Sequence, residues 1–171
     1  MGKDKGLLPI MDSIWAKHIG AKLEKLNIAV VYSINQQQEE SYRDHIENGH
    51  LITDLGTAMG PLKGLLSVYF RFPRNDFLVV ACDMPDLQQD TLHLLLDAYR
   101  NGGNDFYAFQ IGEFYEPLCA LYTAGGLKRI CDGIEQEKLG RKSLQSILQN
   151  GKTKKIPPGK EETFNNYNSF E

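Results

Sequence analysis

The clearest candidate for chemistry is an acidic residue that directly follows the most apolar stretch of the chain. Residues 77–82 (FLVVAC) predict a buried strand, Asp83 stands at its carboxyl end, and Pro85 turns the chain away. A carboxylate on a rigid strand end is well placed to hold Mg²⁺, which takes oxygen ligands and keeps several waters. Asp83 or Asp86 could instead cap the following helix, and the local sequence leaves both interpretations open.

A second candidate lies at the start of the chain, where residues 1–5 read MGKDK. A glycine and two lysines, among them Lys5, suit a loop that contacts phosphate, because lysine supplies a compact positive charge. A solvated, charged chain terminus is the commoner arrangement, and the segment is not a P-loop. Alone it is weak evidence for a phosphate site.

Glycines also precede a predicted helix further along the chain. Asp54 is followed by Gly60, Pro61 and Gly64, with proline in the first helical turn. Backbone N–H groups at a helix N-terminus can receive an anion or the carbonyl of a base. An ordinary loop with a proline-started helix explains the same residues more simply. Near the end of the chain, Asn166 and Asn168 point the same way if their segment is extended, although a polar tail is the simpler interpretation.

Strands that alternate with helices must position these residues. An apolar run at 28–34 (IAVVYSI) and further runs at 51–53, 77–82, 106–109, 118–122 and 154–156 predict strands. Amphipathic or capped segments predict helices between them, the first capped by Asp12 or Ser13 and running to about Leu26, the others at 37–46, 61–69, 88–100, 126–134 and 143–148. This order predicts an α/β fold with a doubly wound, mostly parallel sheet, in which ligands bind beyond the carboxyl ends of the strands.

Bulk composition narrows the function. The length of 171 residues fits one domain spanning 1–171, and the net charge of −3 gives a nucleic-acid-binding role no electrostatic support. No apolar run is long enough for a transmembrane helix, and the N-terminus lacks the apolar core of a signal peptide, so we expect a cytoplasmic protein. Three widely spaced cysteines and four scattered histidines fit neither a disulfide framework nor a zinc site.

The order of these segments is more distinctive than any one of them. MGKDKGLL, ITD, GPLKGLLS, VVACDMPDL, EPLCALY and NYN together resemble the molybdenum cofactor guanylyltransferases over nearly the whole chain, most specifically at MGKDK, GPLKG and CDMP. The resemblance implies a nucleotidyltransferase that joins GMP from GTP to the molybdopterin form of the molybdenum cofactor and releases pyrophosphate. It implies GTP and molybdopterin as partners, Mg²⁺ as cofactor, and molybdoenzymes or their chaperones as possible receivers of the product.

The resemblance also assigns roles to matching positions. Lys5 resembles the family's phosphate-binding lysine, Asp83 matches the Mg²⁺-binding aspartate, and both would be catalytic. Asp54 resembles the aspartate of the nucleotide site, and the segment from Gly60 through Pro61 to Gly64 resembles the loop that cradles guanine.

Three asparagines complete the assignment. Asn35 resembles a strand-end asparagine near the nucleotide, a role that a shifted alignment would give to Ser33. Asn166 and Asn168 match a pair on the pterin side of the cleft.

Two departures from the family, and motifs that separate GTP from CTP poorly, keep other interpretations open. A first strand and a glycine-rich loop precede MGxDK in the family and are missing here, so we expect a domain truncated at its N-terminus, with about 15–20 further residues encoded upstream. A transferase of the same fold that uses CTP is the nearest rival. A non-catalytic relative that binds a nucleotide or a partner protein is the rival from another class.

Overall fold

The N-terminal part of the chain forms a turn, a hairpin and a helix. The computed structural model describes residues 4–55, 60–135 and 143–159. A 3₁₀ turn at Lys5–Leu7 leads into β1 (Pro9–Ile10), which pairs antiparallel with β2 (Ser13–Ile14), and α1 (Trp15–Glu24) follows directly. The predicted cap at Asp12 or Ser13 is wrong, because Ser13 pairs with Ile10 in the hairpin; Ile14 is the N-cap residue and its side chain makes no capping hydrogen bond.

Two short parallel strands form a small separate sheet. β3 (Tyr32–Ile34) and β4 (Leu51–Thr53) pair in parallel, and α2 (Glu39–Arg43) lies between them in sequence. The strand predicted at 28–34 is shorter than expected, since β3 pairs only with the three residues of β4. The helix predicted at 37–46 is likewise divided into a 3₁₀ turn at Gln36–Gln38 and the five-residue α2.

The larger sheet has four strands and carries the rest of the chain. Its members and the neighbouring helices are, in chain order, α3 (Pro61–Arg71), β5 (Phe77–Val80), α4 (Gln89–Arg100), β6 (Phe106–Ile111), β7 (Phe114–Tyr122), α5 (Ala124–Glu135), α6 (Leu144–Asn150) and β8 (Thr153–Ile156). The strand order is β5-β7-β6-β8. β7 runs antiparallel to both of its neighbours, while β6 and β8 are parallel, so β5, β6 and β8 share one direction.

Helices cover both faces of this sheet, as the alternation of its side chains shows. On β6, Phe106 and Ala108 belong to one buried cluster with residues of α3, α5 and α6, whereas Tyr107 and Phe109 belong to another with residues of α1 and α4. Successive side chains of a strand point to opposite faces, so the two clusters lie on opposite sides of the sheet. The predicted α/β class, with a mostly parallel sheet between helical layers, is confirmed.

A cleft separates the two sheets. Residues of β3 and β5 line the same cavity of about 530 Å³, together with residues of α1 and α3. Among the described residues no strand joins β3 to β5. The additional strand expected from the family resemblance stays a prediction. No helix in the described ranges is long and apolar enough to cross a membrane.

Candidate functional site

Two oppositely charged side chains meet beyond the carboxyl end of β5. Lys5 Nζ lies 3.1 Å from Asp83 Oδ2, although the two residues are 78 positions apart in sequence. Their side chains are 33% and 22% exposed, so both remain open to solvent. Folding therefore places the two residues singled out for phosphate and metal binding side by side at the end of the sheet where ligands of α/β proteins bind.

Asp4 fixes the short segment that carries Lys5. Its Oδ1 accepts hydrogen bonds from Gly6 N at 3.0 Å and from Tyr42 Oη at 3.1 Å, and its Oδ2 accepts one from Gln38 Nε2 at 2.5 Å. A Cβ atom at Gly6 would lie 2.0 Å from Tyr42 Oη, so only glycine fits there without a shift. Asp4 thus ties the turn at Lys5–Leu7 to the region around α2, a role the sequence analysis missed although Asp4 lies inside MGKDK.

Asp83 is held by the sheet on one side and by buried side chains on the other. Ala81 N donates to Leu118 O at 2.8 Å, which extends the pairing of β5 and β7 towards Asp83. After it, Met84 and Leu87 are each only 1% exposed, and Leu87 N donates to Met84 O at 3.1 Å. The carboxylate therefore projects from a turn with little freedom to move.

A second polar group lies at the carboxyl ends of β3 and β4. Ser33 Oγ donates to Asp54 Oδ1 at 2.9 Å, and Asp54 N donates to Ile34 O at 2.8 Å. A Cβ atom at Gly64 would lie 2.5 Å from Ser33 Oγ and 3.2 Å from Asp54 Oδ1. The absence of a side chain at Gly64 is what allows α3 to pack so closely against this pair.

The start of α3 lines the same cavity. Gly60 is the N-cap residue with φ 61° and ψ −153°, a conformation that side chains disfavour, and Pro61 follows in the first turn. Buried Ser67 of α3 holds the residue after Asp54 in place, because Ser67 Oγ accepts a hydrogen bond from Leu55 N at 2.7 Å. Six of the residues that the sequence singled out line the cavity: Ser33, Asp54, Gly60, Pro61, Gly64 and Asp83.

Asn35 lies outside the cavity and caps a local turn. Asn35 Oδ1 accepts from Gln37 N at 2.9 Å and from Gln38 N at 3.1 Å, so its side chain caps the following 3₁₀ turn. Ser33, the alternative weighed for this role, lines the cavity, whereas Asn35 does not. Asn166 and Asn168 lie outside the described residues.

Neighbouring titratable groups limit what chemistry the site can perform. Burial, reinforced by the charges of Asp83 and Asp4, raises the pKa of the Cys82 thiol to about 11, so this thiol is protonated at neutral pH. Burial also raises the pKa of Glu116, with the nearby charge of Asp83 acting in the same direction. Sequence analysis missed Glu116. A protonated thiol is a poor nucleophile, so covalent catalysis by Cys82 is disfavoured at neutral pH.

The donor set fits a metal ion that is shared with a substrate. Within the described ranges no group of three or more His, Cys, Asp or Glu residues could hold a metal by itself. Mg²⁺ is commonly bound through one or two carboxylates together with substrate phosphates. Asp83, a partly exposed carboxylate beside a lysine, matches that arrangement.

Comparison with known protein families identifies the family to which this chain belongs. The sequence profile of the MobA-like NTP transferase domain matches residues 1–155. The chain belongs to this family. Its Lys5 and Asp83, and the group around Asp54, all lie within the matched region.

Similar curated proteins carry related names. The chain is 28% identical over 151 residues to a molybdenum cofactor guanylyltransferase of Pseudomonas putida, a match covering 86% of this chain and 74% of the relative. It is 26% identical over 172 residues to a molybdenum cofactor biosynthesis bifunctional protein of Synechocystis. That match covers 100% of this chain and 48% of the relative. The chain thus spans about half the length of that bifunctional protein.

Solved structures share the fold of this MobA-like domain. Molybdopterin-guanine dinucleotide biosynthesis protein A from Archaeoglobus fulgidus matches with a TM-score of 0.70 at 22% identity, covering 91% of this chain and 76% of that chain. A cytidylyltransferase from Leptospira borgpetersenii matches with a TM-score of 0.62 at 16% identity, covering 92% and 71%.

Proposed function

We propose that this MobA-like protein transfers GMP from GTP to the molybdopterin form of the molybdenum cofactor, giving the guanine dinucleotide cofactor and pyrophosphate. The observation that carries the proposal is the pairing of Lys5 with Asp83 at 3.1 Å beyond the carboxyl end of β5. Family membership and relatives named as molybdenum cofactor guanylyltransferases support the choice of acceptor.

The reaction requires positioning and charge stabilisation more than covalent help from the protein. An oxygen of the terminal phosphate of the pterin forms a bond to the α-phosphorus of GTP, and the bond from that phosphorus to the β-phosphate bridging oxygen breaks. Negative charge then accumulates on the departing pyrophosphate. Fixed cationic groups stabilise that charge, as in other phosphoryl and nucleotidyl transfers.

Lys5 is suited to move from Asp83 to a phosphate. An ion pair this exposed contributes about 0–1 kcal/mol to stability, so exchanging the carboxylate for a phosphate costs little. Asp83 then becomes available as a ligand. Mg²⁺, when bound there with the nucleotide, supplies further positive charge to the triphosphate.

The cavity around Asp54 is the proposed guanosine side of the site. Ser33, Asp54 and the start of α3 at Gly60 and Pro61 line it, and α3 presents its N-terminal backbone there. In the first turn of α3, Pro61 has no N–H and Lys63 N donates to Gly60 O at 3.0 Å, so the N–H of Leu62 is the first-turn donor proposed for a base carbonyl. Gly64 keeps this corner open by having no side chain.

The remaining assignments rest on the family resemblance. Asn35 is proposed near the nucleotide, and Asn166 with Asn168 on the pterin side. We propose that the protein acts in the cytoplasm, without nucleic-acid or membrane partners, and that molybdoenzymes or their chaperones receive the product.

Calorimetric titration and a transfer assay test the proposal together. GTP, CTP and ATP are titrated in the presence of Mg²⁺, and pyrophosphate release is then measured with molybdopterin as acceptor. We expect GTP to bind and to support release, because a site that hydrogen-bonds one base leaves its buried groups unpaired when another base enters.

Each other outcome favours a named rival. Preference for CTP would replace the guanylyl assignment with a cytidylyl one, which the shared fold with the Leptospira cytidylyltransferase makes the second candidate. Nucleotide binding without pyrophosphate release under any acceptor condition would favour a non-catalytic nucleotide-binding relative.

A further inference from the structure

A lysine of α1 donates hydrogen bonds to the turn that follows Asp83. Lys22 Nζ donates hydrogen bonds to the backbone carbonyls of Pro85 and Leu87, the latter at 2.9 Å. In return, Gln89 Nε2 donates to Lys22 O at 2.7 Å. Three hydrogen bonds therefore join α1 to residues 85–89, which are more than 60 positions away in sequence.

The environment of Lys22 distinguishes it from an ordinary surface lysine. Burial lowers the pKa of its ammonium group, while the charge of Asp86 partly opposes that effect. Burying an ammonium group is costly unless polar partners surround it. The two carbonyls of the turn provide those partners, so the charged ammonium group of Lys22 stabilises the backbone of residues 85–87.

The helix that carries Lys22 also anchors the other half of the site. Trp15, at the start of α1, is 2% exposed, and its N–H donates to Leu8 O at 3.0 Å, just after the turn that contains Lys5. Lys22 lies two turns further along the same helix. One rigid element is thus fixed at one end to the Lys5 segment and at the other to the Asp83 turn.

We propose that Lys22 is a positioning residue that sets the placement of Asp83 relative to Lys5. This inference rests on the proposed role of Asp83 as the metal ligand. Lys22 does not touch the substrate; it acts through the carbonyls of Pro85 and Leu87 on the backbone that carries Asp83. Groups that orient metal ligands from a distance commonly change metal affinity or activity by about 10–100-fold when they are removed.

Lys22→Met keeps the apolar stem of the side chain and removes its three donors. Lys22→Arg restores a charged donor, and Lys17→Met is the matched control, because Lys17 is an exposed lysine of the same helix. The first measurement is hydrogen exchange of the free protein, followed at residues 83–88. The amide of Leu87 is the most informative probe, since it is bonded to Met84 O within the turn.

We expect Lys22→Met to accelerate exchange at 83–88 by about 10-fold or more while α3 and β7 keep their protection, and Lys22→Arg to restore much of it. The second measurement is the Mg²⁺ dependence of pyrophosphate release at saturating GTP. We expect the Mg²⁺ concentration for half-maximal rate to rise by about 10-fold in Lys22→Met, with most of kcat recovered at high Mg²⁺.

Two results would overturn the inference. In the first, Lys22→Met behaves like Lys17→Met in both measurements. In the second, hydrogen exchange in Lys22→Met rises equally across the whole chain, which would mark Lys22 as merely structural. If the unmodified protein released no pyrophosphate, the proposed function would fail, while the exchange experiment would still decide whether Lys22 holds the turn. Lys22→Gln, which keeps one donor group, replaces Lys22→Met if that variant does not fold.

Discussion

Gly64→Ala tests the close contact between α3 and the hydrogen-bonded pair of Ser33 and Asp54 at the ends of β3 and β4. The new Cβ atom would lie 2.5 Å from Ser33 Oγ, a separation that real Cβ contacts do not show, and 3.2 Å from Asp54 Oδ1. The hydroxyl group is the end of a short, rotatable side chain, so it can turn away. Turning away breaks its 2.9 Å hydrogen bond to Asp54.

Two effects on stability oppose each other. Loss of one partly exposed hydrogen bond costs about 0.5–1.5 kcal/mol. Alanine inside a helix is better than glycine by about 1 kcal/mol. The net change in the free energy of unfolding is therefore within about 1 kcal/mol, which for a chain of this length moves Tm by no more than about 4 °C.

Nucleotide binding has no such compensation. The substitution displaces Ser33 and crowds Asp54 in the cavity proposed for guanosine, so we expect GTP affinity to fall by about 10-fold, equivalent to about 1.4 kcal/mol. The measurements are calorimetric titration with GTP and thermal unfolding of the same preparations. Gly125→Ala is the matched control, since its Cβ would meet no atom closer than 3.7 Å within α5.

A double-mutant cycle checks the proposed cause. In a Ser33→Ala background the clashing oxygen is gone and only the 3.2 Å approach to Asp54 Oδ1 remains, so Gly64→Ala should then lower GTP affinity by clearly less than about 10-fold, which is non-additive behaviour. Wild-type GTP affinity in Gly64→Ala would refute the reasoning. Destabilisation beyond about 3 kcal/mol would refute it too, because it would mean that the clash falls on something less yielding than a hydroxyl group.

The other predictions concern charge and thiol reactivity. Asp83→Asn keeps the shape of the side chain and removes its charge, so we expect the rate of Mg²⁺-dependent pyrophosphate release to fall by about 100-fold or more. Tm should change by less than about 4 °C, because the lost ion pair is partly exposed. Retained turnover would contradict the metal-ligand role. Lys5→Ala should weaken GTP binding much more than GMP binding, as measured by titration, and equal losses would mean that Lys5 does not read the outer phosphates. Because burial raises the pKa of Cys82 to about 11, only about one thiol in a thousand is ionised at pH 8. Alkylation of Cys82 in the native protein should therefore be slow at pH 8 and accelerate about tenfold per pH unit as the pH rises towards 10. Rapid alkylation at pH 7 would contradict a protonated thiol. Cys82→Ser should retain transfer activity.

The sequence by itself determined the family and most of the element order. The apolar run before Asp83 and the proline after Gly60 identify β5 and the start of α3, because both signals are local: continuous burial needs apolar residues, and proline suits a first helical turn. The same locality explains the errors. Ser13 has the side chain of a helix cap, but it pairs with Ile10 in a hairpin, and only the folded chain shows that competition.

Only the tertiary structure decided which residues act together. Lys5 and Asp83 are individually ambiguous in sequence, and their 3.1 Å separation results from packing α1 and the first turn against the end of β5. The same packing brings Lys22 to the carbonyls after Asp83 and leaves Asn35 as a local cap. Lys22, which donates to backbone carbonyls, and Lys5, which we propose binds phosphate, look alike in sequence, because what separates them is the partner that folding places within reach.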